Sequence, residues 1–143
     1  MKKKRILLVE ENTALSFLIE TLLEKNYHTI QVSDSFHAVK ELVAGAHFDL
    51  LIICIDEVAS DKFELLHHVS TSSLLRTIPV LVLSNSEDRE LQEKCSAGNV
   101  ALFLHKPFDP QFFVEKINEI TLLKTTHQVT RKKINLFNLN FYF

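Results

Sequence analysis

Five polar side chains follow short apolar runs of the sequence, at places where loops would follow strands. They comprise three carboxylates, one hydroxyl and one ammonium group: Glu10, Glu11, Asp56, Ser84 and Lys106. Carboxylate oxygens are ligands that hard divalent cations prefer, while hydroxyl and ammonium groups can hold the oxygens of a phosphoryl group. If these side chains converge on one crevice, they could bind a divalent cation and a phosphoryl group together.

Alternating strands and helices are needed to bring these side chains together. Short β-rich apolar runs alternate with longer segments of helical period, which predicts five βα units on a parallel sheet. The predicted strands cover residues 6–9, 28–32, 49–54, 80–84 and 101–104. The predicted helices cover residues 13–25, 35–44, 61–72, 87–97 and 110–123. Because ligands of an open parallel sheet bind outside the carboxyl ends of its strands, the five polar side chains are expected at one edge.

The composition indicates one compact domain without strong attraction to polyanions. The chain has 143 residues, of which 46% are hydrophobic and 24% charged, and its formal net charge is -2. This balance gives no general affinity for nucleic acid or an anionic membrane. The apolar run after the basic start, residues 6–9, is far shorter than a signal-peptide core or a membrane span. We therefore predict a cytoplasmic protein.

The number and spacing of the glycines, cysteines and histidines argue against several other kinds of binding site. The two glycines, Gly45 and Gly98, lie near predicted helix ends, where a left-handed cap is common, and no glycine-rich phosphate loop exists. The two cysteines, Cys54 and Cys95, lack CxxC spacing, so no disulfide framework or structural zinc site is indicated. The histidines form no metal-binding pattern. The sequence therefore predicts neither a P-loop nor a Rossmann nucleotide site.

Three segments resemble the signature motifs of response regulator receiver domains. They are ILLVEEN at residues 6–12, IPVLVLS at 78–84 and LHKPF at 104–108, and the resemblance covers about residues 4–123. It implies a flavodoxin-like, doubly wound (βα)5 fold whose five-stranded parallel sheet has strand order 2-1-3-4-5. It also implies a signalling module of a two-component phosphorelay rather than an enzyme.

The resemblance assigns a role to most of the polar side chains. Glu10 and Glu11 match the acidic pair that holds magnesium in the family. Ser84 matches the hydroxyl that binds a phosphoryl oxygen, and Lys106 matches the cation that pairs with it. Phe103, three residues before Lys106, matches the aromatic switch residue whose rotamer reports activation.

The departure from the family lies at the phosphoacceptor position, which falls on Cys54. Counting forward from Phe48 and back from Phe63 gives the same residue, and the spacings of 30 residues to Ser84 and 22 from there to Lys106 fit the family. The following loop, residues 57–62, also lacks the proline and glycines that are usual there. We therefore predict a degenerate pseudo-receiver.

A cysteine at this position changes the expected chemistry. A neutral thiol supplies neither the nucleophile nor the cation ligand that a carboxylate provides, so Mg²⁺ binding through Glu10, Glu11 and Asp56 should be weak. We expect Cys54 to be mostly protonated and inert. Two alternatives remain: Asp56 or Cys54 could accept phosphate, or Cys54 could act as a redox sensor.

The predicted organisation is a receiver-like domain at residues 1–124 and a tail at 125–143. The tail is too short for a DNA-binding output module and alternates apolar with asparagine side chains, which fits either disorder or a docking strand: Phe137, Asn138, Leu139, Asn140, Phe141 and Phe143.

The predicted function is protein–protein interaction that does not need phosphate. The expected partner is a histidine kinase or an output protein, met by the face of the fourth helix, fifth strand and fifth helix, including Phe103. A homodimer through this face or through the tail is a further expectation.

Overall fold

The computed structural model describes residues 2–57, 60–96 and 99–123. Its strands are β1 (Lys4–Val9), β2 (Tyr27–Val32), β3 (Leu50–Cys54), β4 (Val80–Ser84) and β5 (Val100–His105). Its helices are α1 (Thr13–Leu23), α2 (Ser35–Val43), α3 (Asp61–Thr71), α4 (Arg89–Cys95) and α5 (Pro110–Leu123). The tail at 125–143 and Gly98 lie outside the described residues.

All five strands run parallel in the order β2-β1-β3-β4-β5. The predicted (βα)5 flavodoxin-like fold is therefore confirmed. The order reverses at β1, which lies between β2 and β3, so the crevice outside the ends of β1 and β3 is the place where this fold binds ligands. The register sets Val9 beside Ile53 and Cys54 beside Leu83 at that edge.

The core is formed by the three central strands and the helices packed on both sheet faces. Every residue of β3 and β4 is buried, as is the run from Ile6 to Val9 in β1. This accounts for their uninterrupted apolar sequence, because a parallel strand covered on both faces has no solvent side. The largest fully buried side chains are Phe48, Phe103 and Phe113.

Capping side chains mark the first turns of α1 and α4. The Asn12 side chain accepts a hydrogen bond from the Leu15 N–H at 3.0 Å, so Asn12 is the N-cap and α1 begins at Thr13. Helix α4 is shorter than predicted. Its N-cap is Asp88, whose carboxylate accepts from the Glu90 N–H at 2.9 Å, so the helix begins at Arg89 rather than at residue 87.

One turn needs glycine. Gly45 has φ of 89°, in the left-handed region, and follows the end of α2, as its position in the sequence predicts. Among the described helices, none is long and apolar enough to cross a membrane.

Candidate functional site

The carboxyl ends of β1, β3, β4 and β5 bring the predicted site residues to one edge of the sheet. Ser84 ends β4 beside His105 of β5, and the Lys106 N–H donates a hydrogen bond to the Ser84 carbonyl at 2.8 Å. The peptide bond between Lys106 and Pro107 is cis. The hydrogen bond to Ser84 holds the Lys106 backbone at the end of β5, from which its side chain reaches Glu10 and Asp56.

Lys106 connects two of the carboxylates. Its Nζ lies 3.4 Å from Asp56 Oδ1 and 3.9 Å from Glu10 Oε2. The lysine side chain is mostly buried, so solvent screens these pairs less than it would at the surface. The positive charge that is expected to face a phosphoryl group is thus already shared between two acidic side chains.

Glu10 is a buried carboxylate with unequal oxygens. Oε1 accepts a hydrogen bond from the Asn12 N–H at 2.8 Å. Oε2 is buried without a hydrogen-bond partner among the described residues, and its neighbour is the Lys106 ammonium group. An acceptor left in this state is costly unless a cation compensates it.

Cys54 is the last residue of β3 and is buried beside Glu10. Burial is the main reason that the pKa of its thiol lies well above the usual value, and the hydrogen bonding and negative charge of Glu10 raise the pKa further. The positive charges of Lys106 and Lys62 oppose this shift but are smaller effects. The thiol is therefore protonated at neutral pH.

Asp56 lies two residues past Cys54 and reaches the same crevice. Its Oδ1 accepts a hydrogen bond from the Asn85 N–H at 2.8 Å, and its side chain remains 43% exposed. Together with the Lys106 contact, this fixes Asp56 at the mouth of the crevice, above the buried thiol.

Ser84 is fully buried, and its Oγ accepts a hydrogen bond from the Ser86 N–H at 3.1 Å. This contact orders the start of the loop after β4. It leaves the hydroxyl hydrogen available for donation to an oxygen placed in the crevice.

Lys62 also belongs to this site, and the sequence interpretation missed it. Its Nζ lies 3.4 Å from Glu11 Oε2, and its side chain is only 7% exposed, against 70% for Glu11. The signal was in α3, where the buried residues are Lys62, Leu65, Leu66 and Val69. This i, i+3, i+4, i+7 spacing is an apolar stripe whose first position is a lysine.

The donor set does not fit a magnesium ion in this arrangement. Glu10 and Asp56 both face Lys106, Glu11 faces Lys62, and Cys54 contributes a protonated thiol. No group of three histidine, cysteine, aspartate or glutamate side chains in the described ranges is placed to hold a metal ion. His67 and His68, which are adjacent in the sequence, are therefore not part of such a group in the described ranges either.

Phe103 points into the protein rather than outward. It is fully buried, and its ring meets the His105 ring edge to face, with centroids 5.4 Å apart. His105 Nε2 in turn lies 3.0 Å from Gln92 Nε2 on α4. In this conformation Phe103 therefore contributes to the face of α4, β5 and α5 through its neighbours and not through its own surface.

A cleft of about 600 Å³ opens between α4, β5 and α5. Its lining combines aromatic and polar side chains and includes Asn85, Gln92, His105, Pro107, Phe108 and Phe112. Lys106 also lines it, so the cleft and the polar crevice share one residue.

A family model described as the response regulator receiver domain matches residues 6–118. The two-component response regulator-like APRR9 of Arabidopsis thaliana is 31% identical over 105 residues, which are 72% of this chain and 22% of that protein. The hybrid signal transduction histidine kinase D of Dictyostelium discoideum is 22% identical over 136 residues, 95% of this chain and 9% of that protein. The chain thus spans less than a quarter of the length of either relative.

Solved structures share the fold. The phosphorylated cyanobacterial phytochrome response regulator RcpA is 25% identical, with a TM-score of 0.72 over 85% of this chain and 95% of its own. The receiver domain of sensor histidine kinase PA1611 from Pseudomonas aeruginosa is 21% identical, with a TM-score of 0.72 over 84% of this chain and 98% of its own. That structure holds a magnesium ion in its active site cleft.

Proposed function

The chain belongs to the response regulator receiver domain family, and from this premise we propose that it is a pseudo-receiver that is not phosphorylated at the usual position. Receiver domains are signalling modules of two-component systems. The proposal for this chain is narrower: it acts by protein–protein interaction in a state that needs no phosphoryl group.

The state of Cys54 carries this proposal. The residue occupies the end of β3, where the family resemblance places the acceptor, and its thiol is buried with a raised pKa. A thiol that stays protonated is a poor nucleophile and a poor ligand for a hard cation. Both functions of the missing carboxylate are therefore absent at that position, which supports weak magnesium binding at most.

The other half of the crevice supports a role in recognition. Ser84, Lys106 and the buried Phe103 keep the positions that connect a receiver pocket to the face of α4, β5 and α5. The cleft on this face offers aromatic side chains beside polar ones, the mixture typical of protein interfaces. We propose this face as the contact for a histidine kinase, an output protein or a second copy of the chain.

A second candidate function is favoured by one observation at Asp56. This carboxylate is partly exposed and lies 3.4 Å from Lys106, so it has both access and a cation that could neutralise a transferred phosphoryl group. In this candidate Asp56 accepts phosphate from a histidine kinase in place of the residue at position 54.

The redox alternative receives less support, because a thiolate is the form that reacts with oxidants and Cys54 favours the thiol. Labelling with iodoacetamide at neutral pH tests it. We expect Cys54 in the folded protein to react far more slowly than in the denatured chain. Equal labelling rates in the folded and the denatured protein would support the redox hypothesis.

Intact mass spectrometry after incubation with magnesium and acetyl phosphate tests the leading proposal. We expect no phosphoryl adduct on the natural chain. An adduct that disappears in Asp56→Ala, but persists in the control Glu57→Ala, would establish the second candidate instead. Glu57 suits this control because it is an exposed acidic side chain next to Asp56 in the sequence. An adduct that survives Asp56→Ala and is lost in Cys54→Ala would place phosphate on the thiol.

A further inference from the structure

We propose that the ammonium group of Lys62 is a built-in cation that takes the place of a divalent metal ion in this pocket. The inference rests on the proposed function, since it concerns a receiver that does not use magnesium to accept phosphate. The family resemblance assigns a role to Lys106, the other basic residue of the pocket, but none to Lys62.

The burial of Lys62 is the first observation that carries the inference. Lysine is rarely buried, because removing an ammonium group from water is costly unless an anion compensates it. Here the side chain is 7% exposed and Nζ lies 3.4 Å from Glu11 Oε2. Glu11 itself is 70% exposed. The ion pair therefore forms because α3 places Lys62 there, and not because a buried glutamate has to be neutralised.

The helix start directs the lysine into the pocket. The Ser60 hydroxyl accepts a hydrogen bond from the Lys62 N–H at 3.1 Å, which anchors the first turn of α3 at its N-cap. Lys62 then lies on the buried side of α3, one turn before Leu65 and Leu66. Its charge reaches the end of β3, because it is among the causes that lower the pKa of the Cys54 thiol against the larger effect of burial.

The net charge of the pocket is the second observation. The three carboxylates Glu10, Glu11 and Asp56 face the two ammonium groups of Lys62 and Lys106, which leaves one formal negative charge. Replacing Cys54 by aspartate and Lys62 by a neutral residue would make the cluster more negative by two units. That difference equals the charge of one Mg²⁺ ion. The cysteine and the lysine together therefore supply what a divalent cation supplies to an acidic pocket.

A tethered ammonium group also differs from a metal ion in how it is controlled. A bound ion exchanges with solvent and follows its concentration, whereas Lys62 is part of α3 and is always present. The pocket would then keep one electrostatic state whatever the magnesium concentration.

Isothermal titration calorimetry with MgCl₂ on the full chain tests the proposal in the Cys54→Asp background, where the missing carboxylate is restored. We expect Cys54→Asp with Lys62→Met to bind Mg²⁺ at least about tenfold more tightly than Cys54→Asp alone, because a unit charge a few ångströms away acts strongly on a divalent ion. Methionine is an unbranched, uncharged side chain of similar length, so it replaces most of the apolar stem of lysine. Equal affinities in the two proteins would overturn the proposal.

The matched control is Lys94→Met in the same background. Lys94 pairs with Glu90 at 3.3 Å on α4, but its side chain is 44% exposed. This change should leave the Mg²⁺ affinity of Cys54→Asp unchanged. A tenfold gain from Lys94→Met as well would show a general loss of positive charge and would contradict a specific role for Lys62.

A second measurement avoids dependence on the Cys54→Asp fold. Millimolar MgCl₂ should raise the Tm of Lys62→Met, and of Lys62→Gln, more than that of the natural chain, because only these variants release Glu11 from its ion pair and remove one positive charge from the pocket. The same shift in all three proteins would contradict the proposal. A phosphoryl adduct on the natural chain would refute the proposed function, while this measurement would still decide the role of Lys62.

Discussion

The two halves of the pocket differ in how many of the residues expected from the receiver motifs they contain. In the half at β4 and β5, the Lys106 N–H donates a hydrogen bond to the Ser84 carbonyl, and Phe103 is buried. The half at β1 and β3 keeps the acidic pair but has Cys54 at the end of β3, and it gains the buried Lys62 from α3.

This difference separates two functions that one pocket usually combines. In the proposed function the half at β1 and β3, here called the altered half, is where a receiver would accept a phosphoryl group and hold a cation. The retained half is the one that connects the pocket to α4, β5 and α5, through Phe103, His105 and Gln92. In the proposed function the chain loses the phosphoacceptor chemistry and keeps the connection, as a module that signals by docking requires.

The largest expected effect tests the packing of the retained half. Phe103→Ala removes a fully buried ring and should lower the free energy of unfolding by about 3–5 kcal/mol. Urea denaturation followed by circular dichroism measures it. The control Phe36→Ala removes a ring that is 68% exposed and should cost less than about 1 kcal/mol. A loss below about 1 kcal/mol for Phe103→Ala would show that this aromatic is not part of a fixed core.

A smaller effect is expected for the pH dependence of stability, which tests the environment of Cys54 in the altered half. The folded Cys54 thiol has a raised pKa, whereas a thiol in the unfolded chain has a pKa of about 8.5. Above that pH the unfolded chain binds fewer protons than the folded one, so stability falls as pH rises, by up to about 1.4 kcal/mol per pH unit for this thiol. Below it the contribution is fully present.

Urea denaturation of the natural chain and Cys54→Ala between pH 8 and 10 measures this contribution. The variant should lose less stability over the interval than the natural chain, by about 2 kcal/mol. Cys95→Ala is the comparison, since burial raises the pKa of Cys95 to about 11. Parallel curves for the natural chain and Cys54→Ala would mean that Cys54 ionises as freely in the folded state as in the unfolded one.

The smallest effect concerns Asp56, at the border between the halves. Asp56→Ala should change the free energy of unfolding by less than about 1 kcal/mol, because a pair with a partly exposed carboxylate contributes little. Thermal unfolding at neutral pH measures it. A loss above about 2 kcal/mol would show that Asp56 is a structural member of the retained half, through its bond to the Asn85 N–H.

Much of this arrangement could be predicted from the sequence, because the central strands have no solvent face and so read as unbroken apolar runs. The predicted bounds of β4 and α5 match the structure, and the strand order follows the family resemblance. The start of α4 was wrong by two residues, since Asp88, rather than an earlier polar residue, makes the capping bond.

Lys62 could not be assigned from residue type alone. A lysine in the first turn of a helix is ordinarily solvated, and only the packing of α3 on the sheet shows that this one is buried. Residue type also does not show that Glu10 Oε2 is buried without a hydrogen-bond partner, or that the Lys106 ammonium group lies near it. Spacing predicted which residues meet, but the three-dimensional packing decides which charges are already compensated.

In the proposed function the natural chain neither needs nor senses a metal-bound phosphoryl group. The most direct test is the ¹H–¹⁵N correlation spectrum of the full chain before and after addition of magnesium and beryllofluoride, a phosphoryl mimic. We expect the amide signals of Ser84, Phe103 and Lys106 to stay in place. Concerted shifts of these three signals at saturable ligand concentration would contradict this expectation.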